Sequence, residues 1–192
     1  LSSGSRGCRV VACYDRGIYP RPSSVHSSAP HHMHGTILSL VTQVPQHERE
    51  MEALGIPQTE TITELLELVD VVFLMTQDGR PRLEQAAEVL RARKPLFMDH
   101  PVSSNLADAM VIYALAEGLG VPCCSASPLR WAPACQAARA GELGVILGAE
   151  ARSPADIDQE AIELGHLELC WEASHGIELL FAAVSAQCFG SI

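Results

Sequence analysis

Short apolar runs alternate with stretches in which apolar residues recur at helical spacing, which predicts an α/β protein. The clearest unit lies between residues 70 and 101. The apolar run 71–75 has the length of a parallel strand covered on both faces. Pro81 suits the first turn of a helix, apolar residues recur at helical spacing over 83–90, and a second strand follows at 96–98. Polar residues follow both strands, and functional groups of open α/β sheets lie at such carboxyl ends.

The same alternation predicts two further parallel strands, near Val10 and Val121, in one sheet with the first two. The patterns Thr61-x-x-Glu64 and Asn105-x-x-Asp108 mark the starts of helices between the strands. A regular succession of strands and helices is typical of a doubly wound parallel sheet with right-handed crossovers and helices on both faces.

The pattern changes after Ser127, where we predict a domain boundary. A turn and a helix are expected over 128–140, a glycine-containing strand over 143–151, and then a final helix. The predicted domains are residues 1–126 and 127–192.

Composition narrows the class of protein. Of the 192 residues, 47% are hydrophobic and 19% charged, as in soluble globular proteins. The net charge of −10 argues against general binding to nucleic acids or anionic membranes, because both need a basic face. No apolar window is long enough to span a bilayer. The seven cysteines have no metal-ligand spacing, which favours reduced thiols and a cytoplasmic location over a disulfide framework.

A histidine-rich segment near the start is a weaker candidate for chemistry. Its four imidazoles could hold a metal ion, but the segment contains no predicted scaffold, so a solvated loop is favoured and no metal site is predicted. These histidines are His26, His31, His32 and His34. The absence of a P-loop and of a G-x-S-x-G turn counts against NTPase and hydrolase functions.

Three segments in order, VDVVFLMTQDGRPRLEQA, KPLFMDHPVSSNLADA and GVPCCSASPLRWAP, resemble the Gfo/Idh/MocA oxidoreductase family. A hallmark of that family is a Glu-Lys-Pro or Asp-Lys-Pro tripeptide after the fifth strand, and Asp99-His100-Pro101 stands there. A second hallmark is a helix that carries a catalytic histidine, and His175 occupies that place. The resemblance implies an incomplete Rossmann-type sheet followed by the start of an α+β C-terminal domain.

The resemblance also implies a function: an NAD- or NADP-dependent oxidoreductase that acts on a hydroxyl of a sugar-like or cyclitol substrate. The protein is expected to form a homo-oligomer. His175 would manage the alcohol proton while His100 positions the substrate. Asp15 would accept bonds from ribose hydroxyls, although an ordinary turn aspartate explains it equally well. A structural salt bridge is the alternative for Arg130. The residues expected to bind the cofactor are Asp15, Thr76, Gln77, Asp99, Pro101 and Arg130.

The chain departs from the family pattern in three ways, one of which is that it ends shortly after the predicted His175 helix, so we expect most of the family's large sheet to be missing. The strand and G-x-G-x-x-G turn that open a Rossmann domain are absent, so we expect a fragment that binds a dinucleotide weakly. His100 replaces the catalytic lysine and is shorter and mostly uncharged at neutral pH. A non-catalytic binding or scaffold protein of the same fold is therefore the alternative function.

Overall fold

The computed structural model describes residues 7–14, 49–76, 79–152 and 168–184, with side chains of the last helix described from Ala173 onward. The chain forms two compact units, Leu1–Asp70 and Val71–Ile192. The predicted domain boundary near Ser127 falls inside the second unit and stays a prediction.

The first unit confirms a predicted helix start. Helix α1, Ile62–Leu68, begins after Thr61, whose side-chain oxygen accepts a hydrogen bond from the Glu64 N–H at 3.1 Å. The Glu64 carboxylate in turn accepts from the Glu60 N–H at 2.9 Å. The first bond satisfies an amide group that the first helical turn leaves without a helical partner, and the second ties the helix to the residue before its cap.

The predicted strand near Val10 is wrong for the described residues. Residues 7–14 contain one isolated parallel bridge, between Cys13 and Gln58, in place of a strand. Two backbone bonds make the bridge, from the Cys13 N–H to Pro57 O and from the Thr59 N–H to Cys13 O. Val10 itself is 46% exposed, so its apolar side chain contributes little burial that would order a longer strand.

The second unit contains a three-stranded parallel sheet, as predicted. Its strands are β1 (Val72–Leu74), β2 (Leu96–Met98) and β3 (Cys123–Ser125), in the order β1-β2-β3. The register places the last residues of all three strands side by side. Residues that follow the strands therefore start from one edge of the sheet.

Two helices complete the βα units. Helix α2 (Arg82–Arg91) and helix α3 (Leu106–Leu119) pack against each other, and Leu90 and Ile112 are fully buried. Helix α3 begins at Asn105, whose side chain accepts the Asp108 N–H at 2.8 Å, and the chain leaves it through Gly120 at φ +63°.

The two faces of the sheet differ. Leu96 and Met98 are buried on one face, whereas Phe73 is 65% exposed and Cys124 is exposed on the other. Phe73 packs on Phe97, with ring centroids 5.5 Å apart. The expectation that the first strand is covered on both faces is not met at Phe73.

Beyond β3 the chain forms a 3-10 helix (Pro128–Trp131), helix α4 (Pro133–Arg139) and helix α5 (Glu168–Val184), which packs against both. The predicted strand over 143–151 is wrong. Residues 144–152 have no regular secondary structure, because no strand of the described residues pairs with them, and Leu147 is 95% exposed.

None of the helices in the described ranges is long and apolar enough to cross a membrane. The five cysteines in these ranges are free thiols. Burial, reinforced by neighbouring Cys124, raises the pKa of the Cys123 thiol to about 11. Because the thiolate is the nucleophilic form, Cys123 is an unreactive thiol at neutral pH.

Candidate functional site: a histidine pair

A buried arginine ties the carboxyl ends of β1 and β2 together. Arg82 is fully buried at the start of α2. Its Nε donates to the Thr76 carbonyl at 2.9 Å, its Nη2 donates to the same carbonyl, and its Nη1 donates to the Asp99 carbonyl at 2.5 Å. The guanidinium thus fixes the backbone from which the predicted site residues project.

The two loops that follow these strands also touch directly. The Ser104 N–H donates to Gly79 O at 3.3 Å, and a Cβ built on Gly79 would lie 2.6 Å from that nitrogen. Only glycine leaves room for this approach, since real Cβ atoms are essentially never found so close to another heavy atom.

His100 lies directly beyond β2 and is buried, with 7% of its surface exposed. Its Nδ1 lies 3.1 Å from Asp99 Oδ1, and its Nε2 lies 2.6 Å from His175 Nε2. The two rings meet edge to face, with centroids 3.8 Å apart. A strand end and a distant helix therefore bring two imidazoles into direct contact.

Ser127 holds the other side of His175. Its Oγ lies 2.8 Å from His175 Nδ1 and accepts from the Leu129 N–H at 3.2 Å, and the residue is fully buried. The Ser127 N–H donates to Glu178 Oε2 at 2.9 Å. Because His175 and Glu178 are one turn apart on α5, both face the segment after β3.

An ion pair anchors α5 to the same segment. Arg130 Nε donates to Glu178 Oε1 at 2.8 Å, and the Arg130 carbonyl accepts from Gln136 Nε2 at 2.7 Å. Glu178 thus receives bonds from a backbone amide and from a guanidinium, which fixes the helix turn that carries His175.

Burial has the largest effect on the His100 imidazole. Burial and the nearby His175 lower its pKa below the ordinary value of 6.5, while Asp99 and, more weakly, Glu178 act in the opposite direction. Removal of water disfavours the charged ring, so His100 is neutral at neutral pH.

The structure brings His100 and His175 together with Asp99, and Thr76 and Pro101 lie at the same strand ends. Their roles stay predictions. The Thr76 hydroxyl donates to Gln85 Oε1 at 2.9 Å. Arg130 forms the salt bridge that was its alternative explanation. Asp15, Gln77 and the four clustered histidines lie outside the described residues, and among those described no three metal-ligating side chains are grouped.

Sequence reasoning missed Ser127, Glu178 and Arg82. A signal for Glu178 was present, because its spacing from His175 places both on one helix face. Ser127 precedes a proline and so looks like an ordinary turn residue. Nothing in the sequence marks Arg82, since a helical arginine is usually a surface residue.

A parallel α/β sheet with polar groups beyond its strand ends is the arrangement found in Rossmann-like folds. The family model for the GFO_IDH_MocA oxidoreductase family, with an NAD-binding Rossmann fold, matches residues 23–127. The chain belongs to this family. Among curated protein sequences, none matches it.

Solved structures agree on the fold. An NAD-binding oxidoreductase from Klebsiella pneumoniae is 20% identical, with a TM-score of 0.58, over 71% of this chain and 41% of that one. The WlbA dehydrogenase from Bordetella pertussis, solved with NADH and UDP-GlcNAcA, is 18% identical, with a TM-score of 0.56, over 72% of this chain and 46% of that one. The chain therefore spans less than half the length of these relatives.

Proposed function

We propose that this chain forms part of an NAD- or NADP-dependent dehydrogenase that acts on a hydroxyl of a sugar-like or cyclitol substrate. The observation that carries the proposal is the contact between His100 and His175 beyond the carboxyl end of β2. Imidazole exchanges protons near neutral pH, and oxidation of an alcohol requires removal of the hydroxyl proton.

The described residues fit one end of a nicotinamide cofactor. Thr76, Asp99 and Pro101 follow adjacent parallel strands and are all partly exposed, so they offer a hydroxyl, a carboxylate and an apolar ring at one edge. These residues would hold the nicotinamide and its ribose, in keeping with the family's NAD-binding description. When bound, the oxidised cofactor supplies the acceptor for a hydride.

The substrate class rests on the chemistry of the pair. A sugar hydroxyl both donates and accepts hydrogen bonds, and the two facing imidazole nitrogens can offer one acceptor and one donor. WlbA, a relative in fold, was solved with a nucleotide sugar, which supports a sugar-like substrate for this chain.

One observation favours the non-catalytic alternative. All four ring nitrogens of the pair have partners within the protein: Asp99, Ser127 and each other. A substrate hydroxyl must separate the two Nε2 atoms before it can reach either. If they do not separate, the pair is only a structural link between β2 and α5.

The test is turnover on a panel of sugars and cyclitols with saturating NAD or NADP, followed by nicotinamide absorbance. We expect His100→Gln and His175→Gln each to reduce kcat/KM by about a hundredfold, the usual contribution of acid–base catalysis. Exposed Glu117→Gln on α3 is the control and should leave the rate unchanged. His100→Lys restores the family's residue, and its rate is measured beside that of the native chain. Bound cofactor with no turnover by either the native chain or His100→Lys would favour the non-catalytic alternative.

A further inference from the structure

Four side chains form one continuous line of hydrogen bonds through the site. In order they are Asp99, His100, His175 and Ser127, with separations of 3.1, 2.6 and 2.8 Å between successive polar atoms. The line joins the end of β2 to α5 and to the segment after β3. The chemistry of these groups determines which nitrogen of each ring carries a hydrogen. This assignment rests on the proposed function and gives each histidine a role in it.

The carboxylate end sets the direction of every bond. An ionised Asp99 only accepts, so His100 Nδ1 carries a hydrogen and the neutral ring leaves Nε2 as an acceptor. His175 Nε2 must then be the donor between the rings, which leaves its Nδ1 as an acceptor. The Ser127 hydroxyl accepts from the Leu129 N–H and so keeps its own hydrogen to donate to His175. This arrangement is the one neutral assignment that satisfies all three contacts.

We propose that His100 is the proton acceptor of the site and that His175 donates a hydrogen bond to the substrate oxygen. Asp99 and Ser127 are positioning residues: Asp99 fixes the tautomer of His100 and, through it, that of His175, and the Ser127 hydroxyl donates to His175 Nδ1 and holds that ring in place. These roles are the reverse of those that the family resemblance implies, in which His175 manages the proton and His100 positions the substrate.

The substrate hydroxyl enters between the two Nε2 atoms and replaces one short contact with two hydrogen bonds of about 2.8 Å each. It donates to His100 Nε2 and accepts from His175 Nε2. In the reaction the O–H bond breaks, and its proton forms a new N–H bond at His100 Nε2. The substrate carbon gives up its hydrogen with the bonding electron pair as a hydride to the oxidised nicotinamide, and the product carbonyl keeps the bond from His175.

The surrounding charges suit these roles. Asp99 lies against the ring that becomes an imidazolium, and its carboxylate stabilises that charge without taking the proton. Glu178, which also faces the site, is engaged by Arg130, and Arg82 binds the Asp99 backbone carbonyl. Burial lowers the His100 pKa, which keeps His100 in the unprotonated form that accepts the proton.

The test that needs no substrate is the ¹⁵N NMR spectrum of the histidine rings of the full chain at neutral pH. We expect His100 to be protonated on Nδ1 and His175 on Nε2. Ser127→Ala should shift the His175 Nδ1 resonance, because that nitrogen loses its hydrogen-bond donor, and should leave His100 unchanged. Ser125→Ala, two residues earlier and outside the line of four side chains, is the matched control and should change neither ring. A native His100 protonated on Nε2, or a native His175 protonated on Nδ1, would overturn the assignment.

The second measurement is the turnover of Asp99→Asn beside its NMR spectrum, and it distinguishes this inference from the proposed function. In Asp99→Asn the amide can donate to His100 Nδ1, which moves the ring proton to Nε2, where it opposes the His175 donor. Turnover should fall by roughly a hundredfold or more, with the ring proton relocated in the NMR spectrum. Unchanged turnover with a relocated proton would overturn the role of His100. Absence of turnover in the native chain despite the expected native tautomers would instead contradict the proposed function.

Discussion

His100 is buried and lies against the imidazole of His175. Burial and, to a smaller extent, the neighbouring ring disfavour a positive charge on His100 and lower its pKa, and Asp99 offsets part of this effect. The cost of protonating His100 should therefore appear in the stability of the protein.

We expect the free energy of unfolding to fall as the pH is lowered through the ordinary His100 pKa of 6.5. Because folding lowers that pKa, the unfolded chain binds the proton at a higher pH than the folded chain does, so acid favours unfolding. The loss begins near 6.5 and stops growing once the folded pKa is passed. Urea denaturation between about pH 5 and pH 8 measures it.

The control for this pH dependence is His100→Gln, which removes the titrating ring and keeps a polar side chain. Its stability should fall less between neutral and acidic pH than that of the native chain. Parallel curves for the two proteins would show that His100 has the same pKa in both states.

At the scale of elements, the site depends on how closely the ends of β1 and β2 are held. Arg82 joins the carbonyls of Thr76 and Asp99, and no apolar side chain can replace those bonds. We expect Arg82→Met to lower the free energy of unfolding by about 3 kcal/mol, because it leaves buried carbonyls without donors. Urea denaturation provides the measurement.

The control is Arg91→Met, at the exposed end of the same helix, which should change the free energy of unfolding by less than about 0.5 kcal/mol. Equal losses in both variants would contradict a special role for Arg82.

The contact between the two loops gives a second test at this scale. Gly79→Ala forces a Cβ against the Ser104 backbone and should cost about 1–3 kcal/mol. Gly118→Ala is matched in chemistry but has no atom within 4 Å of the new Cβ, and it lies inside α3. It should stabilise the protein by up to about 1 kcal/mol, since alanine is the better helix former. Thermal unfolding of both proteins would decide, and a neutral Gly79→Ala would show that the loops can move apart.

The elements that the sequence predicted correctly have local causes. The apolar runs of β1 and β2 and the capping residue Asn105 mark their elements without knowledge of the rest of the chain. The predicted strand over 143–151 failed because a strand needs a partner, and partners are set by distant residues. The position of His100 at a strand end was predictable, because His100 follows β2 closely in the sequence. The contact of His175 with Ser127 was not predictable, because it depends on how α5 packs.

At the scale of the whole molecule, family membership follows from the ordered set of segments, and the fold agrees with solved relatives over about seven tenths of the chain. The predicted strand near Val10 is the main failure. Its sequence resembles a strand, but the described residues bury too little apolar surface there to order more than one bridge.

The affinity for a nicotinamide dinucleotide is a property of the whole molecule. A dinucleotide carries a pyrophosphate, which Rossmann domains bind with backbone N–H groups at a glycine-rich turn that opens a helix. The sequence of these 192 residues contains no G-x-G-x-x-G turn, so the pyrophosphate has no predicted partner. We expect titration of NADH fluorescence with this chain to give weak binding.

A chimera that adds a strand and such a turn ahead of Leu1 should bind NADH at least roughly tenfold more tightly, which corresponds to about 1.4 kcal/mol. The same chimera with its added glycines changed to alanine should lose that gain, because Cβ atoms would keep the backbone away from the phosphates. Equal affinity in all three proteins would show that the residues at the ends of β1 and β2 suffice to hold the cofactor.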